Sequence, residues 1–170
     1  ASPNNQLYST GDKTVTSSAL PRSMSTNDKA NVECWIELTE ATDTTAPIIS
    51  LNSYSNEAGT GGHAGGSVTF PAVATNLGWM RKMPLAAGDK GVSAVSTLNV
   101  ATASASTGKF NLMLLRPLAF IPCIANIATV MEINPLPRVY DGSSIFFAAL
   151  ATSAAAINIL GGELTFAYDA

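Results

Sequence analysis

The sequence predicts an all-β fold, a β-sandwich or jelly-roll-like single domain preceded by an extended amino-terminal arm. Three observations carry that prediction. Apolar side chains recur with period 2 along several short runs, the periodicity of strands with one buried face. Clusters of Gly, Pro, Asn, Asp and Ser separate these runs at roughly regular spacing, as turns between antiparallel strands require. Prolines at positions 117, 122, 135 and 137 interrupt the carboxyl-terminal third too often for a long helix to run through it.

Residues 1–30 are rich in Ser, Thr, Asn and Asp and hold neither period 2 nor period 3.6 for long, so they read as a polar arm, with Leu20, Pro21 and Arg22 as its anchor on a neighbouring subunit. The sandwich domain then spans residues 31–170. Its first strand is clear: Val32, Cys34, Ile36 and Leu38 alternate with Glu33, Trp35, Glu37 and Thr39. Pro47 to Leu51 is a second apolar run, followed by the glycine-dense loop NSYSNEAGTGGHAGGS and a short return through Ser67 to Phe70. In NLGWMRKMPLAAGDK, Trp79 to Met83 is a candidate helical turn, while Pro84 and Gly88 exclude a longer helix. Val92, Ala94, Ser96 and Leu98 alternate with Ser93, Val95, Thr97 and Asn99, and the turn-rich ATASASTG precedes a strong apolar strand over Phe110 to Leu115. Further strands are expected over Ala128 to Ile133, Ser144 to Leu150 and Glu163 to Tyr168, with the alanines of 151–156 as a second helical candidate. The total is about eight to nine strands.

Composition narrows the function. Hydrophobic residues make up 46% of the 170 and charged residues only 12%, about half the usual charged share of ~25%. Small, weakly polar side chains fill the gap, and they suit surfaces that pack against other subunits. A net charge of -3 gives no general attraction to phosphate, which argues against direct nucleic-acid binding. The start ASPNNQLYSTGDK has no basic head or apolar run and does not read as a signal peptide. Ile145 to Leu160 is apolar but short for a membrane span and carries Thr, Ser and Asn, so no membrane segment is expected. Cys34 and Cys123 lie in apolar runs and are expected as buried thiols.

Catalytic constellations are sparse. The single histidine, His63, sits among glycines that supply no packed support, so it is expected as an exposed loop residue. Glu33 and Glu37 flank Trp35 on one strand face, but four strand residues span ~13 Å, too far for a glycosidase carboxylate pair; a solvent-facing strand edge is expected. No CxxC, His pair or calcium-loop series is present, and GTGGHAGG lacks the Lys-Ser or Lys-Thr of a phosphate loop. No cofactor, no metal and no enzymatic activity are therefore expected. Trp79, Met80 and Arg81 stand out instead as candidate partner-contact residues, an aromatic and a cation of the kind found at protein interfaces.

The carboxyl-terminal third reads LMLLRPLAFIPCIANI, then INPLPRVYDGSSIFFAALATSAA, then GGELTFAY. It resembles small virion structural proteins of tailed bacteriophages, in particular capsid decoration, or cement, proteins. The resemblance covers about 60 residues and includes no catalytic hallmark. It implies a small β-sandwich made in the host cytoplasm that sits on the virion surface. There such a protein bridges subunits of the major capsid protein, associates with its own copies as a dimer or trimer, and opposes the outward pressure of packaged DNA. The competing expectation is a carbohydrate-binding or fibre or tail module of a virion, presenting Trp35, Tyr54, Trp79 and Tyr140. An enzyme on a jelly-roll scaffold is a third, disfavoured by the scarcity of ligand side chains.

Overall fold

A computed structural model of the chain describes residues 6–15, 20, 24–72, 77–119, 139–140 and 144–145. Among these, the chain forms seven strands and one single-turn helix: β1 (Gly11–Thr14), α1 (Thr26–Lys29), β2 (Glu33–Glu40), β3 (Ile48–Asn56), β4 (Ser67–Thr69), β5 (Met80–Lys82), β6 (Val92–Thr102) and β7 (Lys109–Leu115). They pair into two antiparallel sheets, ordered β1-β6-β3-β4 and β5-β2-β7. The fold is all-β and sandwich-like, as the period-2 pattern predicts.

Strand alternation explains the core. On β2, Cys34, Ile36 and Leu38 are fully buried while Glu33, Trp35 and Glu37 lie half-buried on the opposite face. Antiparallel pairing sets Phe110 of β7 opposite Leu38 and Leu112 opposite Ile36, so the same face continues across the sheet. The four-stranded sheet answers with Ile49, Leu51 and Tyr54 of β3 and Val95, Leu98 and Val100 of β6, and both sets belong to one hydrophobic cluster. Burying each such large side chain contributes roughly 1.5–3 kcal/mol, so this shared layer holds the two sheets together.

On β6 the buried residues are Val92, Val95, Leu98 and Val100, not the strict alternation Val92, Ala94, Ser96, Leu98. The β3–β6 ladder shifts register between Leu51 and Ser53, Ser53 and Tyr54, and Ser55 and Asn56. Each irregularity changes which face the next residue points to, which is how Val95 comes inward and Ser96 outward.

The arm expectation is revised for the described part of residues 1–30. Leu7 is fully buried, its N–H bonds Gly108 O at 2.9 Å and its carbonyl accepts from Ser104 N at 2.8 Å; β1 extends the larger sheet along β6, with Val15 in the core. Polar composition hid this, because β1 is an edge strand and needs few apolar residues. Further on, α1 is capped by Ser25, whose Oγ accepts from Asp28 N at 3.1 Å. Met24, Val32 and Tyr140 form a second buried cluster with Leu20 and Leu114 against it. Leu20 thus packs on its own chain. At Gly91 the backbone passes so close to α1 that a Cβ would sit 1.9 Å from the Lys29 carbonyl oxygen.

The helical turn expected over Trp79 to Met83 is instead β5. Gly78, at φ 78°, turns the chain into the sheet, and β2 then captures it: Leu38 N donates to Trp79 O at 2.9 Å and Met83 N to Cys34 O at 2.8 Å. No helix among the described residues is long and apolar enough to cross a membrane. Pro21, Arg22, Cys123, the strands expected over 128–133 and 163–168, the helical candidate at 151–156 and nearly all of 144–150 lie outside the described residues, as do most of the segments that carry the phage resemblance.

Candidate protein-contact edge and a polar latch

Trp79, Met80 and Arg81 come together at the outer edge of the smaller sheet. The register pairs Trp35 with Lys82, Ile36 with Arg81 and Glu37 with Met80. Hydrogen bonds at the flanking pairs, Leu38 with Trp79 and Cys34 with Met83, fix the alternation of the ladder. It follows that Arg81 spends its backbone groups on β2, whereas the N–H and C=O of Met80 and Lys82 point away from the sheet. Two large hydrophobic residues stand exposed where the chain enters this edge: Leu77 at 62% and Trp79 at 43%. The Arg81 guanidinium lies 5.7 Å from the centre of the Trp79 ring, within cation–π range. Among the described residues Arg81 has no carboxylate within salt-bridge distance.

Beyond β5 lies a notch of about 450 Å³ bordered by Trp35, Met80, Arg81 and Lys82 on one side and by Val68 and Thr69 of β4 on the other. At one end the two sheet edges touch, through Gly66 N to Pro84 O at 2.9 Å. Glu33, on the outer face of β2, accepts from the Trp35 indole N–H at 2.9 Å and ion-pairs with Lys82, fixing the ring and the ammonium together. Because β2 is the central strand of its sheet, Glu33 and Glu37 occupy a face and not the strand edge expected for them. Their shared side of the strand follows the period-2 reading.

The second cluster is one that the sequence reading missed. His63 is not a free loop residue: its backbone bridges Tyr54 in both directions, at 3.0 and 3.1 Å, and its Nδ1 lies 2.8 Å from the Asp89 carboxylate. Asp89 also accepts from the Tyr54 hydroxyl and, at 3.2 Å, from Asn56 Nδ2. The Tyr54 hydroxyl in turn accepts from Ala86 N at 2.8 Å. Those donors, the Tyr54 hydroxyl first, hold the Asp89 carboxyl below its usual range, while burial first and the bond to Asp89 second push Tyr54 up to about 12. Alongside, Glu57 accepts from the N–H groups of Lys90 and Gly91 at 3.2 and 3.3 Å.

A carboxylate holding a histidine is half of an acid–base site, but among the described residues no Ser, Thr or Cys side chain hydrogen-bonds His63. The bonds run from the glycine-rich loop to residues 86–91, so the arrangement latches two loops to one end of β3. The only signal of it in sequence was the GDKG turn around Asp89, which nothing local connects to His63. Cys34, buried in the core, has its thiol pushed up to about 12 by burial. Tyr54 and Tyr140 are 1% and 6% exposed, so neither presents a ring to a glycan as expected for them. Among the described residues no three His, Cys, Asp or Glu side chains converge on a cation position.

Comparison with known protein families, with curated proteins and with solved structures finds no match to the chain.

Proposed function

We propose that this protein is a structural component of a virus particle, a decoration protein that binds the outside of a capsid shell and reinforces it by bridging major capsid subunits. The observation that supports this most is the β5 edge: exposed Leu77 and Trp79, the Arg81 cation and outward-facing backbone groups, a combination that fits protein contact. The low charge content and the phage-like segments point the same way. The role needs no reaction. Each bridging copy adds buried area between shell subunits and shifts the balance toward the closed shell by mass action.

Copy number tests it. Quantitative mass spectrometry of purified particles is expected to find hundreds of copies per particle, and shells assembled without the protein are expected to open at lower temperature. A handful of copies, or shells equally robust without it, would refute the reading. A carbohydrate-binding module is the second reading, favoured by one observation: Trp35 is held by Glu33 on a sheet face beside Glu37, Lys82 and Asn111. Glycan-array binding lost in Trp35→Ala with folding retained would favour it.

A further inference from the structure

The backbone groups of Met80 and Lys82, which no described residue pairs, define what kind of ligand fits the β5 edge. A side-chain surface can take many shapes of partner, but a row of outward N–H and C=O groups at strand spacing is matched by another extended backbone. Two residues offer four such groups. The next carbonyl, Pro84 O, is already taken by Gly66 N, which closes the row at one end, and β4 walls the notch on its far side. Charge selects among extended partners. Antiparallel pairing of β5 with β5 of a second copy, centred on Arg81, would set Arg81 against itself with Lys82 close by. Like charges directly opposite destabilise a strand pair. A carboxylate there would meet an exposed guanidinium that has no acidic partner of its own among the described residues.

We propose that the β5 edge is a strand-addition site for an extended segment of a partner protein that places a carboxylate side chain beside Arg81. This rests on reading the chain as a contact protein and specifies how one contact is made. Leu77 and Trp79 flank the entry and would cover the apolar residues of the added strand.

The probe is a capped nonapeptide of alternating Val and Thr with two Glu near its centre, added to the full-length protein. Binding is expected to slow amide hydrogen exchange at Met80 and Lys82 at least ten-fold and to leave Arg81 N–H, already paired with β2, unchanged. Met80→Pro removes an outward donor without touching the β2 ladder and is expected to weaken binding at least ten-fold, whereas Met80→Ala stays within about three-fold. Arg81→Glu is expected to lose the Glu peptide and gain its Lys counterpart. Equal binding by Met80→Pro and wild type, or peptide binding without slowed exchange at Met80 and Lys82, would overturn the proposal. So would protection of those amides in a peptide-free, concentration-dependent dimer, which would assign the edge to a second copy. Should Met80→Pro not fold, the exchange measurement decides alone. Shells that carry the protein while Met80 and Lys82 still exchange freely would refute strand addition and leave the decoration reading intact; protection by the peptide with no copies on shells would do the reverse.

Discussion

Replacing Tyr54 by phenylalanine removes one oxygen atom from the interior and leaves the ring in place. Tyr54 is 1% exposed, so no cavity of consequence opens. What changes is hydrogen bonding: Ala86 N–H loses its 2.8 Å acceptor and Asp89 loses its hydroxyl donor, keeping Asn56 at 3.2 Å and His63 at 2.8 Å. An unsatisfied part-buried donor costs about 1–3 kcal/mol, so Tyr54→Phe is expected to lower the unfolding free energy by about 2 kcal/mol. Urea denaturation should show this as a lower midpoint with an unchanged slope. The sign at alkaline pH provides an independent check. The folded protein holds the Tyr54 proton more tightly than the unfolded chain, with the pKa raised from 10.0 to about 12. That contribution is fully present below pH 10 and is lost as pH rises toward 12, so the gap between wild type and Tyr54→Phe should narrow over this window. A loss under about 0.5 kcal/mol, or the same loss in an Asp89→Asn background, would refute the latch as a coupled unit.

Gly91→Ala forces a Cβ to within 1.9 Å of a backbone oxygen of α1, and since no flexible side chain can yield there, a loss of about 3 kcal/mol or more is expected in the same denaturation assay. Cys34 should resist iodoacetamide at pH 8 in the native protein and react in urea, because its thiol is buried and its pKa is pushed up to about 12; peptide mass mapping reads it separately from Cys123. On the acid side, Asp43 is held well below the usual carboxylate range by backbone N–H groups, that of Ala105 first and that of Thr45 next. Its contribution is complete above the ordinary aspartate pKa of about 3.9 and is lost as pH falls below it. Asp43→Asn should therefore flatten the acid limb of the pH–stability curve measured by thermal melting.

The sequence by itself determined the class of fold, because burial of one strand face requires alternation and alternation is local: Cys34, Ile36 and Leu38 announce β2, and Phe110 announces β7. It also singled out Trp79, Met80 and Arg81 as contact candidates from a tryptophan lying two residues from an arginine, whereas the 43% exposure of Trp79 is a property of the fold. Tertiary structure decided what local pattern cannot encode. Whether residues 79–83 are helix or strand depended on β2 accepting Met83 N and donating Leu38 N, bonds to residues more than 40 positions away. Which residues of β6 face inward depended on register shifts against β3. His63 looked unsupported because Asp89, the carboxylate that holds its ring, lies on a separate loop 26 positions away. Leu7 and β1 joined the body through pairing with partners about 80 to 100 residues away. In each case the deciding energy lies in contacts between segments distant in sequence, and no window along the chain contains both partners.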